Sequence, residues 1–176
     1  MASITPTAWE QLKLYWSTTA GGATPVAGNL VGEFTGDPSF DIKMGAVVWR
    51  GQDRFPKQVA FVDGESSVTI PGMQFDPDEA FSKFWTMVKS AAATLHGGAA
   101  VATSFTLGAN VKPQTAEFLI EGLYTSTGKK AQILIPKGYV DSIPPTVGRS
   151  AFASWSLGLK CLQDASGNSL KIFTET

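Results

Sequence analysis

Residues 150–173 read SAFASWSLGLKCLQDASGNSLKIF. Ala153, Trp155, Leu157, Leu159 and Cys161 fall on one side of a pleated strand, and Ser154, Ser156, Gly158 and Lys160 on the other. This period of two predicts a strand with one buried face. At about 3.3 Å per residue the run from Phe152 to Leu162 spans over ~30 Å, against the ~20 Å of an ordinary strand. Asp164 and Gly167 in DASGN carry turn chemistry, with Gly167 suited to a left-handed position. The stretch therefore predicts a regular hairpin whose second arm is NSLKIFT. Neither arm holds an acid, base or nucleophile placed for catalysis. A long strand leaves a long edge, and an exposed edge invites pairing with another chain.

The same punctuation runs along the rest of the chain. NLVGEF, DIKMGAVVW, KQVAFV, SSVTI, AVATSFTL, AEFLIEGLY, KAQILI and GYVDSI read as strands, separated by TGDPS, VDGES, TSTGK and IPPTVG. One helix is predicted over about 76–95, in DPDEAFSKFWTMVKSAAATLHGG. Asp76 suits a cap, Pro77 the first helical position, and Asp78 and Glu79 the positive end of the helix dipole. Phe81, Phe84, Trp85 and Val88 make an apolar stripe at helical spacing, and Gly97 and Gly98 stop it. Such a helix packs on the protein's own sheet. The expectation is a mainly β chain with one flanking α-helix, organised as a single domain over 1–176.

Composition limits the function classes. Of 176 residues 43% are hydrophobic, enough for a core, but only 16% are charged, below the usual quarter. A charge-poor surface fits contact with other protein; a neutral surface rich in Ser, Thr and Gly is the plainer account. The formal net charge of −1 argues against a protein that grips duplex nucleic acid, which needs a concentrated basic face. Residues 129–176 hold six Lys/Arg and three Asp/Glu, whereas residues 1–70 hold five and seven; an offset of this kind can guide the ends of identical subunits together, but more often it has no consequence. The start MASITPTAWEQLKLYW lacks the basic and apolar regions of a secretory signal. The charge-free stretch SAAATLHGGAAVATSFTLGAN is too weakly apolar for a membrane span.

Enzyme readings fail one at a time, and no enzyme is expected. His96 is the single histidine, set at the predicted helix end where it interacts with the last carbonyls. Cys161 lies on the apolar side with Trp155 and Leu157, as a small core residue. With one His and one Cys there is no Cys/His zinc set, and no metal or other cofactor is expected. Glu117 and Glu121 share one strand face, but about 13 Å separates them, beyond the ~5–9.5 Å of glycosidase pairs. The five tryptophans raise a carbohydrate-binding module as an alternative, although scattered Trp in a β protein more often serves core or interface.

The order strand, polar loop, strand, turn, strand in DIKMGAVVWRGQDRFPKQVAFVDGESSVTIPGMQFDPDEAFSKF leads into a helix start. Later come AEFLIEGLYTSTGKKAQILIPKGYV, a long strand and DASGNSLKIF. Over most of residues 26–174 this order resembles the major tail tube proteins of long, non-contractile-tailed bacteriophages. The likeness is one of pattern, not of an invariant motif. It implies a β-sandwich or partly closed β-barrel with a helix on its flank. It also implies hexameric rings whose subunits pool strands into an inner barrel, stacked around a tape-measure protein, with viral DNA later passing through without specific binding. Self-association, a tail terminator and a distal tail protein are the implied partners, with no membrane; the implied place is the virion tail, with assembly in the host cytoplasm. A tail terminator or a type VI secretion tube subunit, which share the fold, is the alternative.

The resemblance also assigns residues. The polar loop 50–65, with Arg50, Asp53, Arg54, Lys57, Asp63 and Glu65 around Phe55 and Phe61, matches the loop that contacts the next ring. Residues 1–25 form an amino-terminal arm; its apolar Trp9, Leu12, Leu14, Tyr15 and Trp16 are expected to dock on a neighbour or on the chain's own sheet. The channel wall is drawn from one of two strand faces, Glu117 with Glu121, or Ser154, Ser156 and Lys160. A near-neutral wall suits DNA passage, since each neutralised phosphate adds affinity.

Overall fold

The computed structural model describes residues 9–42, 45–50, 56–62, 66–74, 84–85, 88–94, 97–98, 101–106, 112–124, 127–142, 145–146 and 154–175. Among them the strands are β1 (Trp9–Ser17), β2 (Leu30–Phe34), β3 (Ser39–Ile42), β4 (Gly45–Arg50), β5 (Pro56–Val62), β6 (Ser66–Gln74) and β7 (Val88–Thr94). They continue with β8 (Val101–Thr106), β9 (Ala116–Tyr124), β10 (Lys130–Ser142), β11 (Pro145–Thr146), β12 (Ser154–Cys161) and β13 (Lys171–Thr174). The mainly β expectation holds.

Six strands close on themselves. The order β12-β10-β9-β1-β2-β6 returns to its start because β12 also pairs with β6, through Leu157↔Ile70, Leu159↔Val68 and Cys161↔Ser66. Every pairing in this ring is antiparallel. A barrel of this size is filled by its own side chains. The predicted stripe of β12 is the one that points inward: Leu157, Leu159 and Cys161 are buried, and Trp155 packs against the core from its margin. They meet Leu12 and Leu14 of β1, Val68 and Ile70 of β6, Phe118 and Ile120 of β9, and Ile133, Ile135 and Val140 of β10. Each fully buried aliphatic side chain of this kind stabilises by about 1.5–3 kcal/mol.

Three sequence expectations are corrected. First, β12 and β13 do not form a hairpin with each other. Both pair antiparallel with β10, β13 along 131–134 and β12 along 138–142. The turn chemistry is as expected: Gly167 sits at φ +79°, and Asp164 Oδ1 accepts from the N–H groups of Ser166 and Asn168, each at 2.8 Å. That turn makes an excursion from one strand line and returns the chain to it, so the long strand of the sheet is β10.

Second, the helix expected over 76–95 does not extend through its carboxyl half. Phe84 is helical, but Val88–Thr94 is strand β7, paired with β8 from Val88↔Thr106 to Thr94↔Val101. Gly97, at φ +75°, lies in the connection between two strands and does not cap a helix. Phe84 does reach the core as the stripe required: it is fully buried, edge-on to Trp16 at 6.3 Å and 6.2 Å from Phe118. Trp85 Nε1 donates to the Val140 carbonyl at 3.2 Å, so this pair plugs the barrel beside β10. Residues 76–83 lie outside the described residues.

Third, the apolar residues assigned to an amino-terminal arm are a strand of the barrel, so of the two docking places expected the chain's own sheet is the one observed. Leu12 and Leu14 are buried in the chain's own core, and Trp16 packs against it, because β1 pairs with β2 on one side and β9 on the other. Residues 1–8 lie outside the described residues.

Candidate functional site

The outward faces of β1, β2, β9 and β10 carry most of the described polar chemistry. The pairings Glu33↔Lys13, Lys13↔Glu121 and Glu121↔Gln132 make one row across four strands. Lys13 Nζ lies 3.4 Å from Glu33, Gln132 Nε2 donates to Glu121 at 2.6 Å, and Lys130 Nζ is 3.8 Å from the same carboxylate. The exposed Lys13–Glu33 pair adds little stability, ~0–1 kcal/mol, but alternating sign across a sheet fixes register. Beside this row Tyr15, Ala23 and Leu119 form a second, smaller apolar cluster. Burial there, followed by the Glu121 charge, pushes the Tyr15 hydroxyl above its ordinary pKa.

Glu117 and Glu121 share a face, as the spacing requires, yet they have different surroundings. Glu117 is 6% exposed. Its Oε2 accepts from the Gly21 N–H at 2.8 Å and its Oε1 from the Ala23 N–H at 2.9 Å. The carboxylate is a clamp on the connection from β1 to β2. Asn29 tightens the same connection by donating to the Gly22 carbonyl at 2.7 Å. The sequence held no sign of this clamp, because nearly a hundred residues separate its partners. Ser156 and Lys160 lie opposite the buried stripe of β12, and Ser154 pairs with Thr146 at the strand's start.

The described part of the expected ring-contact loop is strand. Arg50 ends β4, while Lys57 and Phe61 lie in β5, which pairs with β4 from Gly45↔Val62 to Arg50↔Pro56. Asp53, Arg54, Phe55, Asp63 and Glu65 lie outside the described residues. The β4–β5 hairpin carries on from the β3–β6 pairing: Ile42↔Ser66 is followed by Gly45↔Val62.

The two hairpins differ from the barrel in one decisive way. The β4–β5 and β7–β8 pairs are separate two-stranded sheets, and none of these four strands pairs with the nine-stranded sheet. Their outer edges meet no strand among the described residues. A two-stranded hairpin is at best marginal alone in water, and unpaired N–H and C=O rows are templates for another chain. The edge strands β3 and β13 add to this: among the described residues each pairs on one side only, with β6 and β10 respectively. Large exposed apolar side chains gather there too, with Ile42 at 63%, Ile172 at 64% and Phe173 at 48% exposure.

Burial pushes the Cys161 thiol up to about 11, so it stays protonated at neutral pH, the opposite of an activated nucleophile. Trp16, Trp85 and Trp155 pack against the core and do not form an open platform. Asp164 is held below the usual carboxylate range, first by the Asn168 backbone N–H and then by that of Ser166. Lys171 adds an ion pair to it at 3.7 Å.

No protein family's sequence profile matches the chain, and no curated protein sequence does. Among solved structures the chain is similar in fold to the anti-feeding prophage cap, a tube-terminating cap seen by cryo-electron microscopy. The TM-score is 0.53 at 12% identity, covering 99% of this chain and 95% of that one.

Proposed function

We propose that this chain is a structural, non-catalytic subunit of a phage tail or tail-like particle, one that joins copies of itself into a ring on the tube. The observation that carries this reading is the fold likeness to a tube-terminating cap over 99% of the chain. The strand edges left open in a single copy support it. A barrel closed along most of its length by the β6–β12 pairing, next to two hairpins whose outer edges meet no strand among the described residues, is what a subunit needs when neighbours complete its sheet. In this reading the hairpin strands, not the faces of β9 or β12, are the first candidates for the channel wall. Hexameric rings stacked around a tape-measure protein, passage of DNA, contact with terminator and distal tail proteins, and residence in the virion tail after assembly in the host cytoplasm follow from the tube resemblance.

A second reading has its own support. The similar structure is a cap that terminates a tube, so this chain also fits a single terminal ring in place of a repeating one. Negative-stain microscopy of concentrated protein separates the two. Long striated tubes identify the repeating subunit, and discrete rings that do not elongate identify the terminator. Single copies at every concentration overturn both.

A further inference from the structure

The barrel is closed along most of its length but opens at one seam. The β6–β12 pairing ends at Ser66↔Cys161. Past that level β13 continues along β10, whereas β5, upstream of β6, pairs with β4, and no pairing of β5 with β13 occurs among the described residues. Directly paired residues place their side chains on the same side of a sheet. Ile172 is paired with Ile133, a buried member of the barrel core, so Ile172 faces inward, and yet it is 64% exposed. Ile42 repeats the pattern on the other side of the hairpin's base. It is paired with the buried Ser66, two residues from the core residue Val68, and is 63% exposed. Two inward positions are thus apolar and uncovered where the barrel wall parts.

The backbone says what kind of group fits. The Glu175 N–H donates to the Lys130 carbonyl at 3.0 Å. In an antiparallel pair hydrogen-bonded and non-hydrogen-bonded residues alternate. Phe173 and Lys171 therefore direct their N–H and C=O groups to β10, and Ile172 and Thr174 direct theirs to the outer edge. Only another extended chain satisfies such a row of alternate donors and acceptors.

We propose that this seam accepts a strand from a second copy of the chain, laid along the outer edge of β13 with an apolar side chain over Ile172. The choice of a second copy rests on the ring reading above. It also rests on the strands this chain itself carries with an unpaired edge among the described residues, β4, β5, β7 and β8. An acceptor edge and donor edges at different places on one molecule make a heterologous contact, which closes into a ring or continues as a filament.

The test uses sedimentation velocity on the full chain across a wide concentration range. Thr174→Pro removes an outward donor without removing a bond to β10. Ile172→Lys puts a charge on a side chain that is already mostly exposed in the single copy. Both are expected to raise the concentration for half-assembly by at least tenfold, while Thr174→Val, which keeps the N–H, leaves it unchanged. Wild-type assembly with both variants assembling normally overturns the seam but leaves the ring reading standing. A wild-type protein that never assembles removes the ring reading, and the seam with it. Should Thr174→Pro fail to fold, Ile172→Lys decides alone, together with amide exchange in the wild type. The Ile172 and Thr174 amides become protected on assembly if the seam is filled, and stay fast if it is not.

Discussion

The six-stranded barrel and the two separate hairpins are written in different sequence. In β12 apolar and polar residues alternate and the structure sends each set to its own side; β9 follows the same rule except at Leu119, with Phe118 and Ile120 inward and Glu117 and Glu121 on the other face, where Leu119 joins the smaller apolar cluster. In β4 and β5 the apolar residues are consecutive, Ala46 to Trp49 and Val59 to Val62, and in β7 Ser90 to Ala93 are uniformly small. Consecutive apolar residues leave a strand with no polar face to turn to water. The difference teaches that one copy specifies its barrel and, under the ring proposal, that the hairpins are specified for contacts between copies.

The largest expected effect breaks that division outright. Replacing residues 45–62 by a short Gly/Ser linker is expected to leave the barrel's cooperative thermal transition in place while abolishing assembly, read by light scattering and microscopy. Loss of the fold, or tubes and rings as in wild type, removes the division. Next, truncation inside the barrel is expected to cost far more than truncation in a hairpin. Leu14→Ala or Ile120→Ala should lower the unfolding free energy in urea by about 2–5 kcal/mol. Val48→Ala in β4 should change it by less than about 1 kcal/mol in the single copy. Equal losses at the two places contradict the comparison.

A smaller effect sharpens the barrel side. Glu117→Ala leaves the Gly21 and Ala23 N–H groups without their acceptor, and about 1–3 kcal/mol of stability is expected to go with it. Exchange of those two amides should rise in step. The smallest effect is in pH. The Cys161 thiol, with an ordinary value of 9.0, is raised to about 11 by burial, so the folded barrel keeps its proton where the unfolded chain has lost it. Its contribution is whole below about 9 and is lost as pH rises towards about 11. A urea midpoint that falls across this window in wild type, and falls less in Cys161→Ala, is the expected outcome. Rapid labelling of the native thiol at neutral pH opposes it.

The sequence made the local part of this fold readable. AEFLIEGLY matches β9 to the residue, the inward stripe of β12 follows its alternation, and DASGN turns with Gly167 left-handed. What the sequence left open was partnership at a distance. A turn fixes a reversal of direction but not the strand to which the chain returns, so β12 and β13 read as each other's partners when both belong to β10. Residues 88–94, Val-Lys-Ser-Ala-Ala-Ala-Thr, fit helix or strand equally by pattern; Val88 completed an apolar stripe begun at Phe81, and its pairing with Thr106 decided for strand. Leu12, Leu14 and Trp16 alternate as a core strand does, but neighbouring Gly and Thr made the segment look detachable. The Glu117 clamp joins positions that no spacing rule connects.

Hydrogen exchange, measured once on dilute single copies and once on assembled protein, tests the central claim most directly. The account predicts that the amides of β1, β9, β10 and β12 are strongly protected in both states. Those of β4, β5, β7 and β8 exchange orders of magnitude faster in the single copy and become protected on assembly. Hairpin amides as slow as the barrel's in a lone copy, or unchanged when copies join, would contradict it.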